Sequence, residues 1–281
     1  MKAYLDYLQY VLDNGVWTKN RTGIDTLACS GYMLEHDMKD GFPLLTTKKM
    51  GIRNIAAELE MFIKGITDKR FLQERKCHIW DEWCSPEKVP YANDEETKAK
   101  MMAEPELGPV YGSQWIAFNG DAEKGNQLKT VIETIKNDPT SRRLIVSAWN
   151  PLQLDKMALP PCHLGFELIV YPEQGTIDII WAQRSCDSFL GVPYDLASYA
   201  LLLTLICKET GYKPGKVFGM LGNCHIYKNH LDVVKEQLSR KPYKLPTIEI
   251  ENFTSIWNFY YKDVKLIDYK SYDKLTGAIA V

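Results

Sequence analysis

The chain has no surplus of charge, no long apolar run and no cysteines at metal-ligand spacing, and each absence closes off a class of function. Its 34 Lys and Arg against 36 Asp and Glu give a formal net charge of −2. No global attraction therefore draws it to nucleic acid or to an anionic membrane. The longest apolar stretch, near Leu201 to Cys207, is interrupted by Thr204 and is too short to span a bilayer. The opening residues, MKAYLDYLQYVLDNG, carry acids among the apolar ones, unlike a signal peptide. The seven cysteines, irregularly spaced, are therefore expected as reduced thiols in a cytoplasmic protein. Cys77-His78, Cys84, Cys162-His163 and Cys224-His225 lack a C-x2-C or H-x3-H partner, so no metal is expected. Also missing are a phosphate loop of the Gly-x-x-x-x-Gly-Lys-Ser/Thr kind, a Gly-x-Gly-x-x-Gly turn, internal repeats and low-complexity tracts.

What is present is an ordinary globular composition. With 45% hydrophobic residues in 281, the chain can bury a sizeable core, and no linker divides it, so one domain over 1–281 is expected. Helical spacing of Tyr4, Leu8, Val11 and Leu12 predicts a helix over 2–13, and Ile55, Leu59, Phe62 and Ile63 predict another over 52–64, with Glu58 at its apolar edge. Leu128, Val131, Ile132 and Ile135 mark a third. Strands are expected at Thr26 to Leu34, Leu144 to Trp149 and Lys216 to Leu221, followed by a helix from Lys228 to Leu238. Short tail strands are expected at Thr247 to Ile250, Ser255 to Tyr260 and Val264 to Ile267. The polar segment 85–107 reads as a surface insertion.

The chemistry gathers in residues 158 to 204. Pro160-Pro161-Cys162-His163 leads into an alternating strand, a turn at Glu173-Gln174-Gly175, and a second strand ending in Arg184-Ser185. A Gly-Val-Pro turn then delivers Asp195 to the head of an apolar helix. A lone cysteine is most often a small buried hydrophobe. Nucleophilic use needs a lowered thiol pKa, for which Arg184, His163 and the pair Arg142-Arg143 are the candidate cations. On residues alone this is an enzyme with a thiolate nucleophile and arginines for a dianionic substrate such as a phosphate monoester.

Longer motifs sharpen this: Asn20-Arg21-Thr22-Gly23, Asp40-Gly41-Phe42-Pro43, Ile79-Trp80-Asp81-Glu82-Trp83, Gly108-Pro109-Val110-Tyr111-Gly112, Ser141-Arg142-Arg143, Gln183-Arg184-Ser185, Gly191-Val192-Pro193-Tyr194 and His225-Ile226-Tyr227. In this order they resemble the folate-dependent thymidylate synthase family along nearly the whole chain. The resemblance implies an α/β (α+β) fold, with a large mixed sheet, helices on one face and a sheet-to-sheet homodimer. It implies that Cys162 adds to C6 of a pyrimidine, that Glu58 manages protons, and that Tyr111 and His163 stand beside the nucleophile. Arg21, Arg184 and Ser185 match phosphate binders, and Arg142 and Arg143 match a pair reaching the neighbouring subunit's site. His225 and Tyr227 match holders of the sugar hydroxyl. Trp80, Asp187, Leu159, Gly191, Lys48 and Ala280 fall on the side of the co-substrate, 5,10-methylenetetrahydrofolate. Neither nucleic acid nor membrane is implied as a partner.

Departures from the family pattern set the expected substrate. Thymidylate synthases have asparagine where Asp195 stands. An asparagine amide can donate to uracil O4 and accept from N3–H, whereas cytosine presents the reverse pattern. An ionised Asp195 facing O4 would leave a polar group unpaired, at about 1–3 kcal/mol. Aspartate at this position resembles the family's deoxycytidylate-specific branch, and Glu58-Leu59-Glu60 resembles phage deoxycytidylate hydroxymethylases. Asn223 and Glu167 replace an aspartate and a glutamine. The expectation is therefore hydroxymethylation of dCMP with water, in the cytoplasm, that of the host if the chain is phage-encoded. A dCMP methylase, a thymidylate synthase acting on dUMP and a catalytically inactive nucleotide- or RNA-binding relative are the alternatives.

Overall fold

The computed structural model describes residues 1–278. Its elements, in chain order, are α1 (Lys2–Asn14), β1 (Val16–Thr18), β2 (Thr26–Asp37), α2 (Ile52–Ile63), α3 (Arg70–Gln73), α4 (Glu95–Ala103), α5 (Gly112–Ile116) and α6 (Gln127–Asn137). There follow β3 (Ile145–Ser147), β4 (His163–Tyr171), β5 (Thr176–Asp187), α7 (Gly191–Thr210), β6 (Lys213–Tyr227), α8 (Leu231–Ser239), β7 (Thr247–Ile250) and β8 (Val264–Ile267). Six strands form one sheet in the order β1-β2-β6-β5-β4-β3, in which β5 and β6 run parallel and the other neighbours antiparallel. The sheet is therefore mixed, and β7 and β8 pair separately.

The alternation along each strand decides which face is covered. Leu34, Phe166, Leu168, Ile177, Ile179, Trp181, Val217 and Leu221 point into the core, where α1 and α7 pack. α7 is apolar almost all round because it is enclosed, lying on β5 and β6 and against α2 and α6. The other face is open. Met33, Met220, Ile145, Ile169 and Tyr171 are exposed there, with Met33 at 56% and Met220 at 48%.

Three local readings change. The Gly191-Val192-Pro193 segment is the first turn of α7, where a proline lacks no hydrogen bond and its fixed φ suits the helix. Ser255 to Tyr260 is not a strand but holds a 3-10 turn, Ile256–Asn258. Ser255 caps the Trp257 N–H, and Ile256 and Phe259 are buried three residues apart, a helical spacing. The helix expected from Lys228 opens with a 3-10 turn, Lys228–His230, before α8.

Glu60 and Glu167 both leave the site. Glu60 is fully buried and pairs with Arg75 at 3.0 Å and Lys64 at 2.5 Å, and it accepts the Tyr261 N–H at 3.2 Å. It ties the tail to α2 as a structural ion pair. Glu167 has the phase of Ile169 and Tyr171 on β4, so it lies on the open sheet face. Segment 85–107 holds α4, whose N-terminus is capped by Asp94 through the Thr97 N–H at 2.9 Å and whose Met101 is buried.

Candidate active site

Three strand ends and two helices meet around Cys162. The Cys162 N–H donates to the Tyr111 hydroxyl at 2.8 Å, and its carbonyl accepts the Arg184 N–H at 2.8 Å. Tyr111 is held at φ +27, ψ −89, a strained backbone that persists only where the surroundings over-determine it. Gly112 lets α5 close against α2, since a Cβ there would stand 2.3 Å from the Phe62 backbone. The Arg184 guanidinium is anchored by the carbonyls of Pro161 (2.9 Å) and Pro160 (2.8 Å), beside the Trp149 ring. Burial pushes the Cys162 thiol up, Asp195 adds to this, and Arg184 opposes both.

His163 supplies no charge. Its ring stacks on Tyr111 with centroids 4.2 Å apart, its Nδ1 bonds the Tyr199 hydroxyl at 2.7 Å, and burial drives its pKa down to about 3. Arg142 and Arg143 are exposed at the edge strand and make no hydrogen bond or ion pair among the described residues. Of the cations expected beside the thiol, the single chain brings only Arg184 to it.

Two carboxyls face the same space. Glu58 accepts the Trp80 indole N–H at 2.7 Å. Burial pushes its pKa up to about 7, with the indole bond pulling the other way. Asp195 Oδ2 accepts from the Gln183 side-chain amide at 2.8 Å. Burial raises its pKa to about 7, opposed by the Gln183 bond and assisted by Glu58 and Asp187. Glu58, Cys162 and Asp195 each keep partial exposure, and all three lie within electrostatic reach of Tyr111.

Around this centre, the Tyr227 hydroxyl lies within electrostatic reach of Asp187, Arg21 and Cys162. That brings the exposed Arg21 loop to the nucleophile's side. His225 aligns with Asp187 across the parallel β5–β6 pair, and its Nδ1 meets Asn223 Oδ1 at 3.0 Å. Burial lowers the His225 pKa, so the neutral ring with Nδ1–H donating to Asn223 leaves Nε2 free. Ser185 follows Arg184 on β5, opposite Asn223. Asp187 Oδ1 accepts the N–H groups of Phe189 and Leu190, both at 3.0 Å. Gly191 lies next to it, and a Cβ there would sit 3.7 Å from Asp195 Oδ2. Lys48 is 3% exposed, its ammonium donates to the Phe189 carbonyl over the Phe189 ring, and burial lowers its pKa to about 7. Leu159 packs against the core. Ala280 lies outside the described residues.

Gln183 has no role in the expectations above. Trp181 Nε1 donates to Gln183 Oε1 at 2.9 Å, which turns the amide nitrogen towards Asp195. A polar side chain in phase with Ile177, Ile179 and Trp181 was the available signal, because an inward glutamine needs partners.

A family model described as thymidylate synthase matches residues 2–281. The chain belongs to the thymidylate synthase family. The thymidylate synthase of Mycoplasma pneumoniae is 43% identical over 293 aligned residues, covering 100% of both chains. That of Mycoplasma genitalium is 43% identical over 301, again covering 100% of both. This overturns the expectation of deoxycytidylate hydroxymethylation, because full-length relatives at this identity carry the name thymidylate synthase. That expectation took Asp195 as ionised. In a cleft where burial brings its pKa to about 7, the neutral acid is equally accessible. The fold, one mixed sheet with helices on one face, agrees with the family, as does a one-carbon transferase of pyrimidine nucleotides. No group of three or more His, Cys, Asp or Glu among the described residues could hold a metal, and no helix among them is long and apolar enough to cross a membrane.

Proposed function

We propose that this protein is a thymidylate synthase, converting dUMP and 5,10-methylenetetrahydrofolate into thymidylate and dihydrofolate. The observation that carries the reading is the Gln183-held carboxyl of Asp195, in the same cleft as Cys162 and Glu58. A neutral carboxylic acid has one O–H donor and one C=O acceptor, the same pair that an asparagine amide offers. Its O–H donates to uracil O4 and its C=O accepts from N3–H. Glu58 contributes to raising the Asp195 pKa, so the two carboxyls favour sharing one proton. The productive state has Asp195 protonated and Glu58 ionised.

The other roles follow from position. Cys162, once ionised, adds its sulfur to C6 of the base and makes C5 nucleophilic. Protonation of Asp195 removes a negative charge that disfavours that thiolate. Glu58 accepts the proton that leaves C5 and returns protons to departing groups. Arg21, Arg184 and Ser185 hold the phosphate, and His225 with Tyr227 holds the sugar hydroxyl. Methylenetetrahydrofolate supplies the one-carbon unit and the hydride. The residues fit it: Asp187 commits one carboxylate oxygen to backbone amides and leaves Oδ2 for a polar heterocycle edge, while Trp80 offers an apolar wall. The test is turnover of dUMP, followed by dihydrofolate absorbance and product mass.

We also propose a homodimer formed through the open sheet face. Met33, Met220, Ile145, Ile169 and Tyr171 form an uncovered apolar surface of the kind that marks an interface. Arg142 and Arg143 flank β3 at its edge, free to reach a second chain's phosphate site. The native mass in solution should be that of two chains, and Met220→Glu should shift it towards one. A wild-type mass of one chain would contradict this.

A further inference from the structure

Lys69 is the most completely enclosed ammonium described here. It is 1% exposed, and its Nζ donates to three backbone carbonyls, those of Asp81, Trp83 and Met101, each at 2.8 Å. An ammonium has three donors, so all are satisfied, and no carboxylate is needed to hold it. The three carbonyls come from two segments, the loop carrying Trp80 and the last turn of α4. The same region is laced by backbone bonds, Lys69 N–H to Pro105 O at 2.9 Å and Leu107 N–H to Thr67 O at 2.9 Å. Gln73 adds a bond to Asp81 Oδ1 at 3.0 Å.

We infer that Lys69 is a positioning residue, which acts through the 81–83 carbonyls to hold the Trp80 indole on Glu58. Trp80 immediately precedes Asp81, whose carbonyl is one of the three. Its N–H is the bond that favours the ionised form of Glu58, and on the thymidylate synthase reading its ring faces the co-substrate. Removing the ammonium leaves three carbonyls converging on an apolar void, and the loop must move to hydrate them. The functional part of the inference rests on the thymidylate synthase reading. The clamp itself does not.

The test compares the wild type with Lys69→Met in two experiments. In amide hydrogen exchange, the variant should exchange faster at 79–83 and 101–104, with α7 unchanged. In steady-state kinetics, the KM for methylenetetrahydrofolate should rise about tenfold or more, as small displacements of a positioned group do. The KM for dUMP should stay within about twofold, because the phosphate and sugar contacts lie elsewhere. The acid limb of the pH–rate profile should move up, since Glu58 has lost the bond that stabilises its charge. Unchanged exchange would overturn the clamp. Faster exchange with both KM values and the limb unmoved would overturn the positioning role, as would an equal rise in both KM values. If Lys69→Met does not fold, Lys69→Gln, which keeps two donors, is read in the same way. A wild type that does not turn over dUMP would count against the functional reading, while the exchange result would still judge the clamp.

Discussion

Cys162→Ser should lower kcat for thymidylate formation by at least about 10³-fold, the scale on which loss of a nucleophile is felt. A serine hydroxyl is a far weaker acid than a thiol, and carboxyls with pKa about 7, such as Glu58 and Asp195, are too weak as bases to ionise it. His163, the obvious neighbour, is a neutral ring already bonded to Tyr199. Binding should survive, because the Cys162 backbone is fixed by Tyr111 and Arg184, and the substitution leaves both bonds in place. Calorimetric titration of the variant with dUMP should therefore give an affinity near that of the wild type. Substantial turnover by Cys162→Ser, or by Cys162→Ala, would show that the reaction does not pass through this sulfur.

Glu58→Gln is expected to lose about 10²–10⁴-fold in kcat, the usual worth of a positioned acid–base group. The substitution preserves shape, and the glutamine carbonyl can still accept from the Trp80 indole. The loss would therefore come from proton transfer. As a base, Glu58 must begin ionised, so the wild-type rate should fall on the acid side of about pH 7. The variant's residual rate should lack that limb. Measurement of kcat from pH 5.5 to 8.5 (roughly one and a half units either side of neutrality) covers the transition. A Glu58→Gln profile that keeps the acid limb would assign it to another group.

Periodicity carried most of the architecture. Apolar spacing is a local property, and α1 and α2 form at nearly the expected bounds, whereas β2 continues past Leu34 to Asp37 and β6 spans Lys213–Tyr227 rather than Lys216 to Leu221. The tail was less legible: the segment mixes polar and apolar residues as an exposed strand does, but Ile256 and Phe259, three apart, share a face only in a helical turn, which the Ser255 cap opens. In the site, residue types were legible but ionisation states were not. Asp195 reads as a carboxylate until the cleft's burial and the neighbouring Glu58 are known. Glu60 reads as Glu58's companion, yet two positions along α2 turn it to Arg75 and the tail. Lys69, in Asp68-Lys69-Arg70, has the look of a solvated charge run. Only long-range folding brings three carbonyls to it.

The most direct measurement is the rate and product of dUMP turnover across pH, for the wild type and Asp195→Asn, with dCMP run in parallel. The account predicts a product heavier by one CH2 unit, with dihydrofolate formed in step. The wild-type rate should fall above about pH 7 as Asp195 ionises. Asp195→Asn, whose amide cannot ionise, should keep turning over dUMP without that alkaline limb. Turnover of dCMP in preference to dUMP, or a product gained without dihydrofolate, would contradict the central claim. An alkaline limb unchanged in Asp195→Asn would show that Asp195 does not read the base as a neutral acid.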